Sequence, residues 1–303
     1  MRCIVAIVGP TAIGKSKLAL RLASDLEAEL VSADSRQVYR YMDIGTNKPT
    51  LEEQKSIPHH LINVVNPDDD FNLANYLHMA RRVIQDIQQR GKSPLLVGGS
   101  GLYVWSIIEG WKIPNVPPNR DLRRKLESKA RQQGSQALYQ QLREVDPVTT
   151  EKIDPRNIRR VIRALEIHQL SGQLPSLIRQ KQAPHFPILV IGLTAERSEL
   201  YHKIDQRVDR MINRGLVEEV KELMHKGYSL SLPSMSGIGY KQVGDFLSGG
   251  VSLPKAVERI KYETHRLARH QYAWFRPSDA RINWLDANNA RKKANDLVES
   301  FLS

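Results

Sequence analysis

The sequence predicts an open, parallel α/β sheet flanked by helices and interrupted by an inserted all-helical subdomain, and three observations carry this reading. Short apolar runs, the first rich in β-branched residues, alternate with helical patterns, at Cys3 to Val8, Leu30 to Ser32, Pro94 to Val97 and Ile188 to Leu193, and Ile282 to Asp286 precedes a closing helix. Between the first run and the helically spaced Lys17 to Ala23 lies Gly9-Pro10-Thr11-Ala12-Ile13-Gly14-Lys15-Ser16. From Asn119 to about Leu170 the chain is helical and polar with no strand signal, and Pro114, Pro117 and Pro118 mark its entry. The expected division is therefore residues 1–113 with 186–303 for the sheet core and C-terminal helices, and 114–185 for the insertion.

The strand, glycine loop and helix form one context with one chemistry. The two glycines let the backbone curl until several N–H groups point at a phosphate, and the helix N-terminus adds positive potential. Lys15 supplies a mobile ammonium, and the Ser16 hydroxyl is a candidate ligand for Mg²⁺. This part of the chain is expected to bind a di- or triphosphate.

The second strand runs into Ala33-Asp34-Ser35-Arg36-Gln37-Val38-Tyr39. Loops at the carboxyl ends of parallel strands form the ligand crevice, so Asp34 is expected near the phosphate loop, as a base or metal ligand. A helix N-cap is the equally weighted alternative. His59 and His60 are adjacent, but neighbours on a strand face opposite ways, which argues against a shared metal. Asn72 can cap a helix whose apolar residues Leu73, Tyr76, Leu77, Ala80, Val83, Ile84 and Ile87 keep 3/4 spacing, with Gly91 as its stop. Gly98-Gly99-Ser100-Gly101 after the third strand turns Ser100 toward the same crevice.

In the insertion, Arg156, Arg159, Arg160 and Arg163 fall at i, i+3, i+4 and i+7, while Ile158, Val161, Ile162 and Leu165 repeat that spacing two residues later. The arginine stripe should oppose the apolar one and favour contact with a phosphate backbone. After the fourth strand, helices are expected from Glu199 to Arg214 and Leu216 to His225. A longer helix from Ala256 to Phe275 is expected to put Ile260, Leu267, Trp274 and Phe275 on one side.

Charge agrees with a polyanionic partner. The net charge is +12, and 14 Lys and Arg stand against 7 Asp and Glu between Pro114 and His185. Hydrophobic residues at 41% argue against disorder. The single cysteine, Cys3, excludes a disulfide framework and a Cys-rich zinc site. No apolar run approaches the roughly 20 residues of a membrane span, so a cytoplasmic protein without membrane association is expected.

Together these stretches resemble the bacterial tRNA dimethylallyltransferase family. The resemblance rests on residues 9–16, on Asp-Ser-Arg-Gln-Val-Tyr-Arg-Tyr-Met-Asp-Ile-Gly-Thr-Asn-Lys-Pro at 34–49, and on Pro-His-His-Leu-Ile at 58–62. It continues through Val-Gly-Gly-Ser-Gly-Leu-Tyr at 97–103, Arg-Val-Ile-Arg-Ala-Leu-Glu at 160–166, Gly-Ile-Gly-Tyr-Lys at 237–241, and the run from Arg269-His270-Gln271 to Trp274-Phe275-Arg276. It implies a P-loop NTPase-like core that binds dimethylallyl diphosphate. It also implies transfer of the dimethylallyl group to the exocyclic amine of the adenine immediately 3′ of the anticodon in tRNA. Asp34, Ser100 and Arg207 would be catalytic, with Asp34 the base for that amine. Gly9, Thr11, Ala12, Ile13, Gly14, Lys15 and Ser16 would hold the diphosphate, with Mg²⁺ at Ser16. The anticodon stem-loop would meet Asp34, Ser35, Arg36, Gln37, Ser100, Gln271 and the helix at Ile158, Arg159, Arg160, Val161 and Ile162, with Arg156 and Arg163 added by the stripe. A monomer is expected. Ser100 stands where the family usually has Thr, Asn63 where it has Asp, and His270 where it has Arg.

A small-molecule P-loop kinase using ATP is the competing enzyme, but a small substrate would not call for the arginine stripe. An RNA-binding protein with a regulatory P-loop explains the charge but not the convergence of Asp34 and Ser100.

Overall fold

The computed structural model describes residues 3–302 apart from 115, 179, 180, 183 and 185. Position 185, the expected end of the insertion, lies outside the described residues. Two compact units are formed, one from residues 1–108 and 184–303, the other from Glu109–Ala183.

The first unit begins with β1 (Ile4–Val8), α1 (Lys15–Asp25), β2 (Glu29–Ser32), α2 (Leu51–Ser56), β3 (His59–His60), α3 (Leu73–Gln89), β4 (Pro94–Val97) and α4 (Gly101–Ile108). All five residues of β1 are buried, which is why the run is apolar throughout rather than alternating. The Asn72 side chain accepts from the N–H groups of Ala74 and Asn75, so α3 starts where its cap predicts.

The second unit holds α5 (Arg120–Gln133), α6 (Ser135–Val145), α7 (Pro147–Thr150), α8 (Ile158–Ser171) and α9 (Pro175–Ile178) around Leu126, Leu138, Leu142, Val161, Ile162 and Leu165. Its boundary lies at residue 109 rather than 114, because Trp111 bridges Lys181 and the N–H of Gln182 donates to the carbonyl of Gly110. Those links tie the two ends of the unit together before the first proline.

The first unit resumes with β5 (Ile188–Thr194), α10 (Arg197–Asn213), α11 (Leu216–His225), α12 (Tyr240–Leu247), α13 (Leu253–Trp274), β6 (Ile282–Asp286) and α14 (Ala290–Leu302). The sheet order is β3-β2-β4-β1-β5-β6, parallel throughout, with Ile7 opposite both Val97 and Ile191. The chain winds one way from β1 to β2 and β3 and then back through β4, on one side of β1, to β5 and β6 on its other side, so a crevice opens at the carboxyl ends of β1 and β4. On one side of the sheet, α1 and α14 bury Leu18, Leu22, Ala294 and Val298 against Leu30, Leu95 and Ile191. A second core joins Val38 and Met42, from the loop after β2, to Met211, Leu216, Val220, Tyr240, Val243 and Ile260 of α10–α13.

In α13 the buried face is Ala256, Ile260, Ala268 and Gln271, whereas Leu267 and Trp274 are 40% and 37% exposed. Ile260 and Phe275 are buried as expected, and only Leu267 and Trp274 depart from the expected side. Periodicity located an apolar stripe, but Ala268 packs in the sheet-side core and the two glycine loops bond the polar Gln271, so both face inward.

At the other end of β2, the buried Glu29 accepts from Arg90 (2.5 Å), His60 (2.8 Å) and Lys92 (3.2 Å). The Arg90 bonds, aided by His60 and Lys92 and opposed by burial, hold the carboxyl down at about 2. His60 is thereby a structural partner of Glu29. A carboxyl depressed in the folded state stabilises above its unfolded value near 4.3, and that stability is lost as pH falls through 2. Glu29→Gln is expected to remove on the order of 3 kcal/mol at pH 7 and to flatten the stability decline between about pH 4 and 2, measured by urea unfolding across pH.

Candidate active site

The glycine loop joins β1 to α1 through a backbone that only certain residues allow. Gly9 has φ 137°, and a Cβ there would come within 2.6 Å of the Leu193 carbonyl on β5. Gly14, with φ 104°, sits at the helix start and lets the chain enter α1. Lys15 folds back so that its Nζ donates to the Pro10 carbonyl at 2.7 Å. Burial, then the nearby Arg207, push the ammonium down to about 7, with Asp34 opposing. From α10, Arg207 Nη1 donates to Thr11 Oγ1 at 3.1 Å. Burial pulls its guanidinium down to about 10, Asp34 opposing and Arg210 assisting, so it stays charged at neutral pH.

Thr11, Lys15, Ser16, Asp34, Gln37, Arg207 and Gln271 line one cavity. Asp34 does not cap an α-helix; its Oδ1 accepts from the N–H of Arg36 at 2.8 Å, which shapes a turn. Among the described residues its Oδ2 takes no hydrogen bond. The site therefore joins an ammonium, a guanidinium and a hydroxyl to one carboxylate. Such a set can hold an anionic leaving group and remove a proton beside it.

Several expected residues are placed differently. Ser100 Oγ accepts from the N–H of Ser35 at 3.0 Å and donates to Ser35 Oγ at 3.4 Å, so its hydroxyl serves the Asp34 turn. Gln271 is 7% exposed and spans the two glycine loops: Oε1 accepts from the N–H of Thr11 at 2.7 Å and Nε2 donates to the Gly99 carbonyl at 3.0 Å. That makes it a strut between the two loops. Arg36 Nη1 donates to the carbonyls of Pro233 and Ser234.

The arginine stripe also needs correction. Arg156 precedes α8 and pairs with Asp154 at 2.8 Å. Arg163 is half-buried and bonds Glu166 at 2.5 Å and the Val116 carbonyl at 2.8 Å. Glu166 is fully buried and also takes Arg123 at 2.8 Å. A buried carboxylate recruits the nearest guanidiniums because its charge is otherwise unsatisfied. Arg159 and Arg160 remain exposed and carry no ion pair among the described residues. Ile158, expected on the apolar stripe, is 37% exposed; Ala164 and Ile167 are buried with Val161, Ile162 and Leu165.

Thr46, Asn47, Pro49 and His59 also line the cavity, although their spacing in the sequence marks none of them as a site residue. Thr46, Asn47 and Pro49 fall inside the long stretch at 34–49, and His59 inside the one at 58–62, so the resemblance was the available signal. His59 Nδ1 donates to the Ile57 carbonyl at 2.7 Å, and burial pushes the ring below its ordinary value.

The family described as IPP transferase matches residues 37–278, and the one described as isopentenyl transferase matches residues 2–66. The tRNA dimethylallyltransferase of Thermomicrobium roseum is 49% identical over 93% of this chain and 86% of that protein. That of Roseiflexus castenholzii is 51% identical over 90% and 89%. Among solved structures, the full-length tRNA isopentenylpyrophosphate transferase of Bacillus halodurans superposes with a TM-score of 0.73 at 39% identity, covering 99% of this chain and 96% of that one. A eukaryotic dimethylallyltransferase acting on tRNA gives 0.82 at 28% identity, covering 99% and 80%. The parallel sheet with its phosphate loop is the P-loop NTPase-like architecture. With a match over most of its length and relatives near half identical along nearly all of it, this chain belongs to the IPP transferase family.

Proposed function

We propose that this chain is a tRNA dimethylallyltransferase, moving the dimethylallyl group from dimethylallyl diphosphate to the N6 amine of the adenosine 3′ of the anticodon. The observation that carries the reading is the convergence of Lys15, Ser16 and Arg207 with Asp34 on one cavity. The amine nitrogen bonds the allylic carbon as the C–O bond breaks; diphosphate leaves with the electron pair, and Asp34 takes the amine proton. Lys15, Arg207 and the loop N–H groups meet the charge that grows on the departing oxygen. Ser100 supports this through the turn that carries Asp34.

Mg²⁺ fits the donor set. Ser16 offers a hard oxygen, and the described residues hold no cluster of three or more metal-ligating side chains. Such an ion would rest mainly on substrate phosphates, where it would neutralise diphosphate charge. Among the described residues no helix is long and apolar enough to cross a membrane. The enzyme would act as a monomer in the cytoplasm, where its RNA is.

Supplying unfractionated tRNA with isotope-labelled dimethylallyl diphosphate or γ-labelled ATP tests the reading. Label is expected in tRNA only from the allylic donor; absence of that label refutes it.

The insertion is proposed to hold the anticodon stem through Arg159 and Arg160. Arginine suits this because its planar fork binds phosphate bidentately. Replacing both with Gln should weaken tRNA binding and reduce the magnitude of the slope of log K against log salt by roughly 1.5. Donor affinity should not change. A salt series of tRNA binding checks it, and an unchanged slope would make the pair a solvated face.

A further inference from the structure

We propose that Glu219, assisted by Tyr240, is a positioning residue for the nucleotide-facing wall of the cavity; the proposal rests on the function just given. Residues 33–50, between β2 and α2, contain no helix or strand. A loop of that length needs its backbone groups satisfied elsewhere. Three successive N–H groups, of Asp43, Ile44 and Gly45, converge on the Glu219 carboxylate of α11. Oε2 accepts from Asp43 at 2.9 Å and Ile44 at 2.7 Å, and Oε1 from Gly45 at 3.1 Å. Tyr240 of α12 donates its hydroxyl to Oε1 at 2.6 Å. Four donors thus fill the carboxylate, and the loop forms an anion nest occupied by the protein's own side chain. The fit is close: a Cβ on Gly45 would lie 2.5 Å from the Tyr240 ring.

What this nest holds is the next turn of chain. Thr46 and Asn47 present their carbonyls to Gln37 Nε2 at 3.4 and 3.2 Å, and Gln37 Oε1 accepts from Ser32 Oγ at 3.1 Å. Ser32, Gln37, Thr46 and Asn47 line the cavity together with Asp34. Lys48, buried, ties the far side of the turn to the Tyr39 carbonyl, Asp43 and Asn63. The diphosphate-holding groups come instead from β1, α1 and α10. Glu219 therefore governs the wall offered to the nucleotide and leaves the diphosphate end alone.

Glu219→Gln keeps the shape but sets an amide N–H₂ against backbone N–H donors. With the full chain, an anticodon stem-loop RNA and dimethylallyl diphosphate, KM for the RNA should rise about 10- to 100-fold. The Kd for dimethylallyl diphosphate should stay within twofold, and amide exchange at residues 43–47 should quicken. Tyr240→Phe, which removes one of the four donors, should move RNA KM the same way by a few-fold and decides the matter if the first variant does not fold. RNA kinetics within twofold of the parent despite faster exchange would overturn the proposal, as would an equal loss of donor affinity. A parent enzyme that transfers no label to RNA would instead overturn the function on which it rests.

Discussion

Asp34→Asn is expected to lower the single-turnover rate of transfer by about 10²- to 10⁴-fold, with tRNA and donor affinities close to those of the parent. The amide occupies the same space and can still accept from the Arg36 N–H, a bond now made at 2.8 Å, so the turn survives. What it cannot do is take the proton that the amine sheds as it alkylates. Single-turnover kinetics at saturating donor check it. A rate within about threefold of the parent would remove Asp34 from the role.

Lys15→Ala should weaken dimethylallyl diphosphate binding by about 10²- to 10³-fold, because a partly buried ammonium aimed into the phosphate loop leaves the anion without its partner. The parent should also show a pH signature that the variant lacks. In the free enzyme Lys15 is pushed down to about 7, and its protonated form is the one that binds an anion. As pH rises through 7 the free enzyme loses that charge, so donor affinity should fall by up to about tenfold per unit above it. Arg207, pulled down only to about 10, stays charged across this range and sets the residual affinity. Calorimetric titration from pH 6 to 9 tests both. A parent profile as flat as the variant's would mean that Lys15 is not the titrating group.

The phosphate loop, the strand-end position of Asp34 and the helical insertion were legible because each is local. Strand, glycine loop and helix follow one another within residues 4–25, and their periodicities are set by neighbours along the chain. The cap at Asn72 and the burial of β1 are of the same kind. The departure at Asn63 also has a local sense: it adopts φ 55°, which Asn tolerates, and accepts from Lys48 without adding a second carboxylate beside Asp43.

Tertiary structure alone decided the partners. Gln271 meets Thr11 across 260 positions, and Glu219 meets the loop at 43–45 across more than 170. Arg163 belongs to Glu166 rather than to solvent, although both lie on one helix. The reason is that Glu166 is buried and Arg123 comes to it from another helix. Helical spacing says which residues share a face; it does not say what that face will meet. A hydrogen bond or ion pair forms where packing removes water and leaves a polar group to be satisfied. That choice among donors is made only when distant segments have come together.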